Sequence, residues 1–116
     1  MAKNLDNVHG NIVYQVAVPS PLRKVFDYLS KRDGQFIQPG SRVLVPFRNQ
    51  TIVGFVVSSS NNSSIASEKL KFIDKILDDE PTLSGEVLSI LKWSARYYQH
   101  PIGQVLAAAV PKKIRE

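Results

Sequence analysis

The sequence contains no cysteine. That removes disulfides, thiolate zinc sites and cysteine nucleophiles together, and leaves the redox compartment open. Histidine occurs only twice, as His9 and His100, too few for an ordinary metal centre. No Walker-type loop is present, and no G-x-G-x-x-G follows a strand pattern, so the usual cradle for a nucleoside triphosphate is missing. Neither histidine stands at a spacing that pairs it with a carboxylate for catalysis, and the chain reads as a non-enzyme. No apolar run approaches the roughly 20 residues of a membrane span. Met1 to Gly10 has neither the basic start nor the apolar middle of a signal peptide. The expectation is a soluble, cytoplasmic domain that does not touch a membrane.

Acidic residues are also scarce. Ten Asp and Glu stand against 15 Lys and Arg, a net charge of +5. Such a balance favours polyanions, because cations near phosphates release condensed counterions. Arg23, Lys24, Lys31, Arg32, Arg42 and Arg48 crowd the first half, so the amino-terminal half should build most of any positive face. At 116 residues and 43% hydrophobic content the chain is one domain. A domain of that size buries roughly two-thirds of its unfolded surface and needs no covalent staple.

Periodicity orders the chain. Ile12, Tyr14, Val16 and Val18 alternate with Val13, Gln15 and Ala17, the period of a strand that Pro19 and Pro21 end. Leu22, Val25, Phe26 and Leu29 fall at helical spacing, whereas Phe26-Asp27-Tyr28 alternates, so one helical turn followed by a short strand is predicted. Asp33-Gly34 and Pro39-Gly40 mark turns. Arg42 to Phe47 and Ile52 to Ser58 form a hairpin around the polar turn Arg48 to Thr51, with Gly54 where a bulge or a close approach is expected. Ser58 to Ser67 is a Ser/Asn loop, and Leu70 to Leu77 reads as a strand closing the sheet. From Leu83 the period is helical: Val87, Leu91, Ala95 and Tyr98 continue one stripe, widened by Leu88, Ile90 and Ser94; Thr82 or Ser84 caps its start, and His100-Pro101 stops it. Trp93, Tyr97 and Tyr98 are expected as packing aromatics rather than a base-stacking platform. A second helix is predicted over Ile102 to Ala109, ahead of Pro111. Asp78-Asp79-Glu80 reads as a solvated acidic face rather than a magnesium site.

The predicted architecture is therefore α+β, a small barrel-like sheet of about five or six short strands followed by two carboxyl-terminal helices. The boundaries expected are a leader over 1–11, a domain over 12–111 with its β part at 12–77 and its helical part at 82–110, and the start of a linker at 112–116.

The stretch around which the rest is organised is Val18 to Leu29. It frames Asp27 between Phe26 and Tyr28, behind the pair Arg23-Lys24. Two readings stand for it: core aromatics around a turn-capping Asp, or a carboxylate in a ring-lined pocket that reads a hydroxyl donor. Spacing alone favours the first.

Several stretches in order resemble one family. Val16-Ala17-Val18-Pro19-Ser20-Pro21-Leu22, Phe26-Asp27-Tyr28-Leu29, Pro39 to Phe47, Val53 to Val57, Leu70-Lys71, Leu77 to Pro81, Trp93 to Tyr98 and Pro101 to Leu106 look like the amino-terminal domain of primosomal protein N′, the replication-restart helicase PriA. The resemblance runs from about Ile12 to Ile114. It implies a module that binds the 3′ end of the nascent leading strand at stalled or D-loop forks, whatever its sequence. It implies Phe26, Asp27, Tyr28, Arg48 and Lys71 as end-binding residues, with Arg23, Lys24 and Arg42 expected at phosphates. It also implies DNA, the helicase motor of the same polypeptide, primosome proteins and single-stranded-DNA-binding protein as partners. No cofactor is expected in this chain; ATP and zinc belong to the full-length family protein. One departure concerns position 48, where relatives usually have glycine after Val-Pro-Phe and this chain has Arg48. The borrowed role has a physical basis, since a terminal 3′-hydroxyl can donate to a carboxylate that would repel a terminal phosphate. Two rival readings remain at this point: a protein-docking module, and a general single-strand-binding barrel indifferent to ends.

Overall fold

The computed structural model describes residues 12–30, 36–61, 69–78 and 80–110. The expected leader over 1–11, the Asp33-Gly34 turn, Lys31 and Arg32, Asp79 and the linker start at 112–116 lie outside the described residues.

Six strands form one sheet: β1 (Val13–Ala17), β2 (Phe26–Leu29), β3 (Arg42–Phe47), β4 (Gln50–Ser60), β5 (Lys71–Phe72) and β6 (Lys75–Ile76), in the order β5-β2-β1-β4-β3-β6. Two helices follow, α1 (Gly85–Tyr97) and α2 (Ile102–Ala109). The α+β class and the half-barrel followed by helices are as the sequence predicts.

The sheet curls because its two outermost strands are neighbours in sequence. β5 runs parallel to β2, with Tyr28 opposite Lys71, whereas β6 runs antiparallel to β3, with Val43 opposite Ile76. Between them Ile73 N–H donates to Leu29 O at 2.8 Å and Asp74 N–H donates to Leu44 O at 2.8 Å. The single strand expected over Leu70 to Leu77 is thus two short ones, each serving a different edge. Split this way, the segment satisfies backbone groups on both edges that would otherwise template aggregation.

The concave side holds the main core, with Tyr14, Val16, Tyr28, Val43, Val45, Val56 and Ile73 all buried. On the convex side a second cluster joins Ala17, Phe55 and Val57 of the sheet to Leu83, Leu88, Leu106 and Val110 of the helical part. Strands apolar on both faces follow from this sandwiching. A register shift between Gln15 and Val16 on β1 leaves Val57 as the extra residue of β4. Nearby Gly54 meets Val16 and Ala17 so closely that an added Cβ would lie 2.6 Å from Val16 Cγ1. Gly40 ties the two parts together. Its φ is +96°, and its carbonyl accepts from Thr82 N at 3.1 Å and Leu83 N at 3.2 Å.

Three expectations need correction. Residues 21–24 form bends rather than a helical turn, because Ser20 Oγ accepts from Leu22 N at 3.2 Å and sets a local turn between two prolines. Of the predicted α1 stripe, Leu88 and Ala95 are buried and Leu91 is half-buried as expected, whereas Val87, Ile90 and Tyr98 are exposed. Trp93, Tyr97 and Tyr98 are not packing aromatics, since they are 60%, 65% and 59% exposed. Ser84, one of the two expected caps, accepts from Val87 N at 3.2 Å.

Candidate nucleic-acid interface

β2 alternates, so its residues serve two faces. Phe26 packs on the concave core and Tyr28 lies within it, while Asp27 points to the convex side. The register sets Asp27 opposite Gln15, and Gln15 opposite Ser58. Gln15 Nε2 donates to Asp27 Oδ1 at 3.4 Å and to Ser60 Oγ at 3.3 Å, while Ser58 Oγ donates to Gln15 Oε1 at 2.9 Å. A polar row therefore crosses three strands and holds the Asp27 carboxylate in place. Gln15, a lone amide in an otherwise apolar strand, carries the sequence signal that could have located it.

On the concave side the aromatic residues bridge the open barrel. Tyr28 is 4% exposed, and its hydroxyl donates to Pro46 O at 2.7 Å, from β2 across to β3. Burial pushes its phenol up to about 12. Tyr28 offers little of its ring to a ligand and instead fixes the neighbouring Phe47. Phe26 meets Phe47 edge to face, with centroids 5.0 Å apart. Lys24 Nζ lies 5.1 Å from the Phe26 centroid and the Arg48 guanidinium 5.2 Å from that of Phe47, both within cation–π range. One rim thus runs from Lys24 through two rings to Arg48. Phe47 was not anticipated as part of it, because alternation reads it simply as a strand end.

Arg48 and Asn49 have φ values of 50° and 64°, the two positive dihedrals of a primed two-residue hairpin turn. The turn carries the exposed Arg48 outward, beside Phe47 rather than into the barrel. Lys71 is exposed and stands opposite Tyr28, one position from Asp27. Arg23 and Lys24 are exposed on the loop before β2.

Arg42 is placed apart from that rim. It pairs with Asp78, Nη2 to Oδ1 at 2.8 Å and Nε to Oδ2 at 3.1 Å, and its own backbone N–H donates to Oδ2 at 2.9 Å. Thr82 Oγ1 donates to the same carboxylate. Asp78 thus departs from the solvated acidic face expected of it; its side chain is 8% exposed, whereas Glu80 is exposed. Burial alone would push this carboxyl up, but hydrogen bonds from Arg42 and Thr82 and the Arg42 charge outweigh burial and hold it below its ordinary value.

Rings interleaved with cations on one face of β2, and a positioned carboxylate on the other, give this curled sheet backed by two helices the features of a small nucleic-acid-binding half-barrel. The family described as the PriA 3′DNA-binding domain (3′BD) matches residues 15–111. The chain is 38% identical over 105 residues to the replication restart protein PriA of Buchnera aphidicola from Schizaphis graminum, 39% over 103 residues to that of Haemophilus influenzae, and 35% over 102 residues to that of Treponema pallidum. These alignments cover 90%, 89% and 83% of this chain but only 14%, 14% and 15% of the relatives. The chain belongs to the PriA 3′DNA-binding domain family. It is a DNA-binding domain, distinct from the helicase motor, and spans about a seventh of its relatives' length.

Proposed function

We propose that this domain captures the 3′-hydroxyl end of the nascent leading strand at a stalled or D-loop fork, without reading its sequence, and so positions the restart helicase for primosome assembly. The observation that carries this reading is the rim Lys24–Phe26–Phe47–Arg48, set against Asp27 at the start of β2. A terminal nucleotide laid across the start of that strand meets ring on one side and carboxylate on the other. Asp27 accepts the hydroxyl proton, Phe26 takes the last base, and Lys24, Arg48 and Lys71 hold the flanking phosphates. Any base has a face for a ring, so the contact is sequence-tolerant. Tyr28 acts as a positioning residue through Pro46.

Anisotropy of the domain on short single strands ending in 3′-OH or 3′-phosphate tests this. Wild type should favour the hydroxyl about ten-fold or more, the value of one charge-assisted hydrogen bond, and Asp27→Ala should erase the preference. Equal binding of both ends by wild type would leave a general single-strand-binding barrel.

A second reading rests on α1. Trp93 and Tyr97 stack at 4.9 Å with an interplanar angle of 12°, both exposed, next to exposed Ile90. We propose this face as a docking surface for the remainder of the polypeptide, such as its helicase motor, or for a primosome protein. Trp93→Ala should leave the isolated domain's stability within about 0.5 kcal/mol, as for other exposed substitutions, and keep its 3′-OH preference. It should weaken pull-down of a separately produced motor fragment; an unchanged pull-down sinks this reading.

A further inference from the structure

Between the loop before β2 and helix α1 lies an open groove of about 520 Å³. Arg23 and Lys24 line it from the loop, Lys92 and Arg96 from the helix, and Val57 and Ala95 are part of its apolar lining. No carboxylate among the described residues lines it. Two of its cations are anchored by neutral acceptors: Arg23 Nη1 donates to Gln99 Oε1 at 3.0 Å, and Lys92 Nζ donates to Val57 O at 3.4 Å. This contrasts with Arg42, whose charge meets that of Asp78 at 2.8 Å. Anchoring by neutral groups holds these side chains without cancelling their charge.

Lys92 and Arg96 are four residues apart on one helix, about 6 Å along its axis, a step comparable to that between neighbouring phosphates of a strand. With Lys24 at the Phe26 ring and Lys92 and Arg96 one helical step apart on α1, the cations come from separate elements, which suits a chain of anions better than a single one. Lys24 belongs both to this groove and to the Phe26 rim.

We propose that the groove takes the sugar–phosphate backbone of the captured strand a few nucleotides inward of its 3′ end. The strand passes from Phe26 over Lys24 and along Arg23, Lys92 and Arg96. This inference rests on the end-capture reading for its polarity, but not for the existence of the groove site. It adds a second electrostatic footprint on α1, where the sequence offers only a basic pair flanking the buried stripe.

The test uses the 116-residue chain with thymidylate oligonucleotides of three and twelve nucleotides, in wild type, Lys92→Gln, Arg96→Gln and the double variant. Each substitution should weaken the 12-mer about five-fold at 0.1 M salt and lower the slope of log K against log salt by about 0.7. Trimer binding should be unchanged, which also reports an intact fold. The ratio of 3′-OH to 3′-phosphate affinity should be unchanged too. An unaltered slope on the 12-mer overturns the proposal, as does equal weakening of the trimer. Displacement of the 12-mer by oligoglutamate of matched charge as readily as by unlabelled DNA would also overturn it, by reducing the groove to a generic anion surface. If wild type shows no end preference while the length-dependent slope change persists, end capture fails and the groove stands.

Discussion

Asp78 shows how much one side chain can carry at the junction of two parts. Its carboxylate collects the backbone and guanidinium of Arg42 and the hydroxyl of Thr82, joining the start of β3 to the segment that leads into α1. Those contacts hold its carboxyl below the ordinary 3.8 against the upward push of burial. A carboxyl depressed in the folded state contributes stability above its unfolded value and loses it as pH falls through the folded one. Wild type should therefore show an extra loss of stability below about pH 4, where ordinary carboxylates protonate. Asp78→Asn should lack that component and begin about 2 to 3 kcal/mol less stable, somewhat short of a fully buried pair because Arg42 keeps 18% of its side chain exposed. Denaturant melts of both proteins from pH 6 to pH 2 measure this. Parallel pH curves would show that Asp78 is not the linked group.

At the scale of elements, legibility in the sequence followed the strength of local pattern. Arg42–Phe47 and Ile102–Ala109 coincide with their predicted bounds, since each is periodic and bounded by proline, glycine or a polar turn. β4 continues through Ser58, Ser59 and Ser60, which have weak strand preference of their own; pairing with Val13, Tyr14 and Gln15 keeps them extended. The sequence marked Phe26 and Asp27 as a unit, but strand alternation sends them to opposite faces. Phe47 joins Phe26 only through a cross-barrel contact that no local spacing encodes. The aromatic residues of α1 depart from the packing role expected of them because periodicity tells which residues share a face, not whether another element covers that face. Docking of α2 has its own local signature. A Cβ on Gly103 would lie 1.7 Å from Val18 O and 2.2 Å from Val18 C, atoms of the backbone that cannot yield. Gly103→Ala should lift α2 off β1 and cost about 3 kcal/mol or more, in the range of severe overpacking. Unfolding midpoints, with loss of amide protection across Ile102–Ala109, check it. A midpoint within a degree of wild type would mean that the helix can slide.

For the whole molecule, the consequence of curling is that the proposed site is held by a seam rather than by a continuous ladder. β2 and β3 are separated by two strands in the sheet, yet Phe26 touches Phe47 and Tyr28 donates to Pro46 across the concave side. The brace over this gap is the 71–76 segment, whose Ile73 is 4% exposed, donates to Leu29 O and packs in the same cluster as Tyr28. Ile73 faces the core, so a change there tests whether the rim depends on the seam. Ile73→Ala should cost about 2 to 4 kcal/mol, whereas Ile73→Val should cost about 0.5 to 1.5. Measured well below its own unfolding midpoint, the alanine variant should still lose affinity for the 3′-OH end as the rings separate, and the valine variant should bind nearly as wild type. The fold-only component is readable from circular dichroism at the same temperature. A folded Ile73→Ala protein with wild-type end affinity would show that the rim forms without the brace and that Lys24, Phe26, Phe47 and Arg48 hold one another in place.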